Sequence, residues 1–173
     1  MSTELSPAIQ RAAANIDTLF CDVDGVLTDG ALVYHDGGGE SKSFNVKDGY
    51  AIRRWIDVGH RFVIITARSS PVLRRRCEEL SIETLVEGCQ NKTVAAETFL
   101  QQHGGGFDRS AYIGDDVPDV GPMGRCVIAA TPADGARDAV EAADWVLATA
   151  GGRGAVREWI ETVLRWQHRW HPG

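Results

Sequence analysis

Short apolar runs alternate with amphipathic stretches along this chain, and the alternation predicts strands and helices in turn. Thr18 to Cys21, Phe62 to Ile65, Thr84 to Val86, Ala111 to Ile113, Cys126 to Ala129 and Trp145 to Leu147 are brief and largely apolar, as strands buried on both faces are. Between them, Gly49 to Val58, Pro71 to Leu80 and Thr93 to Gln102 read as helices, with Pro71 suited to a first turn and Gly104-Gly105-Gly106 ending the third. Val156, Trp159, Ile160, Val163 and Trp170 recur at helical spacing, which predicts an amphipathic helix over Ala155 to Arg169 whose tryptophans pack inward. Ala31 to Tyr34 and Ser43 to Val46 flank Asp36-Gly37-Gly38-Gly39, a hairpin signal. Strands alternating with helices predict an α/β fold: one open, parallel, Rossmann-like sheet with the hairpin as an insertion. The domain runs over 16–165, after an N-terminal extension (1–15) and before a C-terminal tail (166–173).

Ligands of such sheets bind at the carboxyl ends of the strands. The first apolar run ends abruptly in Asp22-Val23-Asp24-Gly25. Strand geometry sends side chains at i and i+2 to one face, so both carboxylates reach one cleft. Two carboxylates so close repel unless a cation or a shared proton intervenes, which predicts a metal, an unusual protonation state, or both. Thr66, Asp115 and Asp116 follow other strands, and Lys92 opens a helix after Thr84 to Val86. A nucleophile candidate, a second carboxylate, a hydroxyl and an ammonium at one sheet edge are what phosphoryl transfer through an aspartyl-phosphate needs. Alone, Asp22-Val23-Asp24-Gly25 would also suit a surface turn. A calcium loop is excluded by Val26 and by the lack of a closing Glu.

Composition narrows the partners. The 173 residues suit one domain, 43% hydrophobic and 24% charged. A net charge of -6 argues against nucleic acid and against a basic membrane-binding surface. No apolar run is long enough for a membrane span, and no secretory leader is apparent at the N-terminus. Cys21, Cys77, Cys89 and Cys126 form no C-x-x-C pair, so neither a disulfide framework nor a zinc site is expected. A reduced cytoplasm is the expected compartment.

Asp22-Val23-Asp24-Gly25-Val26, Thr66, Lys92 and Gly114-Asp115-Asp116-Val117-Pro118-Asp119 together resemble the four motifs of haloacid dehalogenase superfamily phosphatases. Phe44 to Tyr50, Gly88-Cys89-Gln90-Asn91-Lys92 and Gly151 to Glu158 bring the resemblance closer, to the 3-deoxy-D-manno-octulosonate 8-phosphate phosphatases, over roughly Asp17 to Leu164. The resemblance implies a cap-less domain and Mg²⁺-dependent hydrolysis of that sugar-acid phosphate in lipopolysaccharide precursor synthesis. It makes Asp22 the nucleophile and Asp24 the acid and base. Mg²⁺ would be held by Asp22, Asp115 and the backbone carbonyl of Asp24, oxygen ligands suited to a hard cation. Thr66 and Lys92 would bind phosphoryl oxygens, while Asp116 and Asp119 orient Lys92 and metal-bound waters. Arg68, the segment Asn45, Val46, Lys47, Asp48 and Gly49, and Arg53 and Arg76 would serve the phosphorylated sugar-acid substrate. The same resemblance implies a homotetramer with shared active sites, the hairpin packed centrally and Arg76 reaching a neighbour's site.

One departure from that pattern is Ala67, where the family usually has Gly. A positive φ there would strain the chain, and otherwise the change is mild. The tail from Arg165 to His171 matches nothing in the pattern. Two alternatives stay open: a phosphatase for a nine-carbon keto-sugar acid 9-phosphate, and a catalytically silent oligomerisation module.

Overall fold

The computed structural model describes residues 6–171; positions 1–5 of the N-terminal extension and 172–173 of the tail lie outside the described residues. Six parallel strands form one sheet. They are β1 (Thr18–Cys21), β4 (Arg61–Ile65), β5 (Thr84–Val86), β6 (Ser110–Ile113), β7 (Ile128–Thr131) and β8 (Trp145–Val146), in the spatial order β5-β4-β1-β6-β7-β8. The intervening β2 (Val33–Tyr34) and β3 (Glu40–Ser41) pair antiparallel as a separate hairpin. The helices are α1 (Pro7–Ala13), α2 (Val46–Asp57), α3 (Pro71–Leu80), α4 (Lys92–His103), α5 (Val117–Met123), α6 (Arg137–Ala142) and α7 (Ala155–Trp166). Among the described residues no helix is long and apolar enough to cross a membrane.

Strand alternation divides the core into two layers. Leu19, Cys21, Phe62, Ile64, Ala111 and Ile113 face α2, α3 and α7, whereas Phe20, Val63, Ile65 and Tyr112 face α4 and α5. The stripe Val156, Trp159, Ile160, Val163 and Leu164 buries α7 against α2, where Trp55 and Trp159 meet edge-on at 5.4 Å. Burying a ring of that size removes about 150–250 Å² from water, roughly 4–6 kcal/mol of transfer free energy before ordering costs.

Several elements differ from the sequence-based expectation. The hairpin is shorter, and its second strand ends before Ser43, because Gly38 and Gly39 turn the chain early with positive φ. The freed residues start α2 instead, with the Asn45 side chain accepting from Lys47 N at 2.9 Å. α7 stops at Trp166, yet Trp170 still reaches the core, 9% exposed, with the Arg157 guanidinium 4.6 Å from its ring centroid. Part of the predicted N-terminal extension is helical, and Ala13 at its end is fully buried.

Candidate active site

β1 is the centre of the sheet, flanked by β4 and β6, so the chain crosses from one side of β1 to the other between β5 and β6. Its carboxyl end is therefore where neighbouring connections diverge and leave a crevice. A cleft of about 140 Å³ opens there. It is lined by Asp22, Asp24, Thr66, Ala67, Arg68 and Lys92, together with Asp115, Asp116, Pro118 and Asp119. A larger cavity of about 530 Å³ lies elsewhere, lined by Asn15, Asp17, His60, Arg109 and Gln167. Size therefore does not identify the site; the convergence of carboxylates does.

Asp22 continues the ladder, its N–H donating to Ile113 O at 3.0 Å, and its side chain is buried. Lys92, the first residue of α4 and 5% exposed, spans two carboxylates: Nζ lies 2.8 Å from Asp22 Oδ1 and 2.7 Å from Asp119 Oδ1. Burial disfavours its charge, but the two carboxylates outweigh that and raise its pKa. Asp119 is fully buried and uses both oxygens. Oδ1 also accepts from Tyr112 Oη at 2.7 Å, and Oδ2 accepts from the backbone N–H groups of Asp115 and Asp116 at 3.2 and 3.4 Å. Asp119 thus orients Lys92, while Asp116 does not: its side chain caps α5, accepting from Val117 N at 2.8 Å.

Carboxylate oxygens of Asp22, Asp115 and Asp119 lie within 4.8 Å of one another. Burial, then the charge of Asp119, pushes the pKa of Asp22 up to about 6. Burial, then the charges of Asp22 and Asp119, pushes Asp115 up to about 8. Asp115 Oδ1 is buried and has no hydrogen-bond partner among the described residues. With Asp119 saturated, Asp22 and Asp115 are the carboxylates with capacity for a hard divalent cation, whose charge would relieve the repulsion. The chemistry of the donor set fits Mg²⁺.

Backbone packing holds the carboxylates at this distance. Gly25 has φ of +95°, and a Cβ on it would sit 2.0 Å from Asp115 Oδ2. Above it, Gly151 approaches so closely that a Cβ would fall 1.8 Å from the Gly25 carbonyl oxygen. The Gly151–Gly154 stretch therefore serves as a lid on the Asp24–Thr28 loop, with Gly152 N donating to Val26 O at 2.9 Å.

Thr66 is buried after β4, its Oγ1 accepting from Arg68 N at 3.2 Å. Ala67 does not need glycine: among the described residues only Ser81 and His168 combine positive φ with a side chain. Arg68 Nε stands 3.6 Å from Asp24 Oδ2, and Arg68 Nη2 donates to Glu40 at 2.7 Å.

The remaining predicted residues do not line this cleft. Asn45 Nδ2 donates to Gly152 O at 3.4 Å, and Asp48 accepts from Arg157 N at 2.7 Å, joining α2 to the start of α7. Val46 and Lys47 are exposed on the first turn of α2, and Gly49 packs under Arg76. Arg53 donates to Leu80 O at 3.2 Å, and Arg76 pairs with Glu79 at 3.3 Å and lies over Phe44. Conversely, sequence reasoning passed over Lys42, whose Nζ donates to Asp24 Oδ1. It sits in a polar Ser41-Lys42-Ser43 stretch with no periodic mark. Tyr112 was also missed, although a polar atom on a strand buried on both faces is a usable signal.

No protein-family model matches the chain. A curated relative, the 3-deoxy-D-manno-octulosonate 8-phosphate phosphatase of Haemophilus influenzae, is 38% identical over 159 residues, covering 92% of this chain and 88% of the relative. The crystal structure of the Yersinia pestis phosphatase of the same name superposes with a TM-score of 0.92 at 37% identity, over 94% of this chain and 88% of that one. The Moraxella catarrhalis counterpart, solved with a magnesium ion, a phosphate ion and the sugar acid, gives 0.91 at 34% identity over 92% of both chains.

Proposed function

Because the chain belongs to the 3-deoxy-D-manno-octulosonate 8-phosphate phosphatases of the haloacid dehalogenase superfamily, we propose that it hydrolyses that eight-carbon sugar-acid phosphate with Asp22 as nucleophile and Asp24 as acid and base. The observation that carries the assignment of roles is the Asp22–Lys92–Asp119 chain beside the unpartnered Asp115 oxygen. Lys92 keeps Asp22 ionised and aimed into the cleft, since its own position is locked by Asp119. An oxygen of Asp22 attacks phosphorus in line, the ester P–O bond breaks, and the departing sugar oxygen takes a proton from Asp24. Water then attacks phosphorus, Asp24 accepts its proton, and the phosphorus–Asp22 bond breaks to release phosphate. Thr66 and Lys92 donate to the non-bridging oxygens, and Arg68 meets the substrate's anionic groups. Mg²⁺, held by Asp22, Asp115 and the Asp24 carbonyl, supplies the charge that lets two anions approach.

The assembly belongs to the same proposal. Asn45 to Gly49, Arg53 and Arg76 enter substrate binding only through a neighbouring subunit in a homotetramer. Exposed Leu32, Val33 and Tyr34 on the hairpin, at 48%, 47% and 66%, support such an interface. Four free cysteines accord with a reduced cytoplasm. Phosphate release is to be measured on eight- and nine-carbon sugar-acid phosphates, with and without Mg²⁺, beside Asp22→Asn. Mg²⁺-dependent turnover of the eight-carbon ester, abolished in a folded Asp22→Asn protein, is expected. Preference for the nine-carbon ester overturns the substrate, and an active Asp22→Asn variant overturns the mechanism.

A further inference from the structure

The hairpin reaches the catalytic carboxylates through two side chains. Glu40 and Lys42 are two apart on an extended strand end, so they leave the backbone on the same side. Glu40 accepts from Arg68 at 2.7 Å, and Lys42 donates to Asp24 Oδ1. The Lys42 side chain is only 2% exposed, and among the described residues its one ion pair is with Asp24. A lysine that gives up its hydration must be held by strong compensation, and a single carboxylate oxygen provides it.

The two oxygens of Asp24 are consequently unlike. Oδ1 is occupied by Lys42, with Thr28 Oγ1 at 3.5 Å. Among the described residues Oδ2 is buried without a hydrogen bond, and the nearby Arg68 Nε is unpartnered too, 3.6 Å away. An acceptor and a donor facing each other just beyond bonding distance leave Oδ2 as the Asp24 oxygen that is not committed to a hydrogen bond among the described residues.

We propose that Lys42 is a positioning residue: it clamps Oδ1 of Asp24 so that the proton transfers of both half-reactions run through Oδ2. The inference rests on the role of Asp24 proposed above. It makes the hairpin part of the catalytic apparatus as well as an outward-facing surface.

Lys42→Met keeps the buried stem and removes the donor. If Lys42 positions Asp24, kcat falls about 10- to 100-fold, the scale of a misplaced acid–base group. KM stays within about two-fold, because ground-state binding is untouched. Acid quenching should trap phosphorylated Asp22 at about the wild-type fraction, since both half-reactions slow together. Lys42→Arg should restore part of kcat, and adding Lys42→Met to Asp24→Ala should cost no more than about two-fold further. A kcat equal to wild type, a change confined to KM, or full additivity with Asp24→Ala overturns the inference. If Lys42→Met does not fold, Lys42→Gln is read by the same criteria. An inactive wild type or an active Asp22→Asn variant signals failure of the underlying mechanism. Normal kcat in Lys42→Met alongside a dead Asp22→Asn variant signals failure of this inference alone.

Discussion

Gly25→Ala perturbs the site without altering any polar group. The added Cβ would fall 2.0 Å from Asp115 Oδ2, against ordinary contacts that begin at 3.4 Å, so the carboxylate must withdraw by about 1.4 Å. A shift of that size is most of an Mg–O bond, about 2.0–2.1 Å, so an Asp115 that holds Mg²⁺ as proposed would lose contact with the ion. Backbone strain at φ of +95° adds about 1–3 kcal/mol of destabilisation. The expected result is a rise of about ten-fold or more in the Mg²⁺ concentration for half-maximal phosphate release, and a fall of about 100-fold in rate at saturating Mg²⁺. Magnesium titration of activity, calorimetric Mg²⁺ binding and a urea melt measure the three parts separately. Asp115→Asn should reproduce the metal defect without the strain. A Gly25→Ala protein with wild-type Mg²⁺ dependence and rate would refute the claim that Gly25 sets the position of Asp115.

Lys92→Met leaves Asp22 and Asp119 as buried carboxylates without their shared cation, so stability should fall by about 3–5 kcal/mol and turnover by about 100-fold or more; an unchanged urea midpoint contradicts the ion-pair account. Asp48 gives a pH signature: burial raises its folded-state pKa to about 6 from an ordinary 3.8. The folded protein therefore holds more protons than the unfolded chain between those values, and the Asp48 contribution to stability falls as pH rises through that window, by up to about 3 kcal/mol. Asp48→Asn should flatten that segment of the stability–pH curve, and a curve identical to wild type would exclude the shift.

The limits of β1, α3 and β5 were legible because each is bounded by unambiguous residues: the carboxylates after Cys21, Pro71 at a first turn, and the short run Thr84 to Val86. The cleft residues were legible because parallel strands deliver their carboxyl ends to one edge. α5 was not, since Val117 to Met123 contains Pro118, Gly121 and Pro122. It is held by the reciprocal cap of Asp116 and Asp119, a D-x-x-D spacing that hydrophobic periodicity does not register. β7 runs over Ile128–Thr131, two residues later than the apolar run suggested, with Val127 N shared between the Phe107 and Ser110 carbonyls just before it. Lys42 was illegible for a different reason. Its partner is 18 positions away and depends on how the hairpin folds over, which local pattern cannot encode.

The central position of β1 has a consequence for synthesis. Of the six strands of the sheet, β1, which leads into Asp22, is made before the others, yet its second neighbour is β6, and the loop after it is closed by Gly151 and Gly152. Contacts of such long sequence separation close slowly and only after most of the chain exists. A chain cut before Gly151 also loses α7, and with it the partner of Trp55. Such truncations should be recovered as aggregation-prone material rather than as weak phosphatases, because Asp22, the proposed nucleophile, is made before the other cleft residues and is among the last to be set in place.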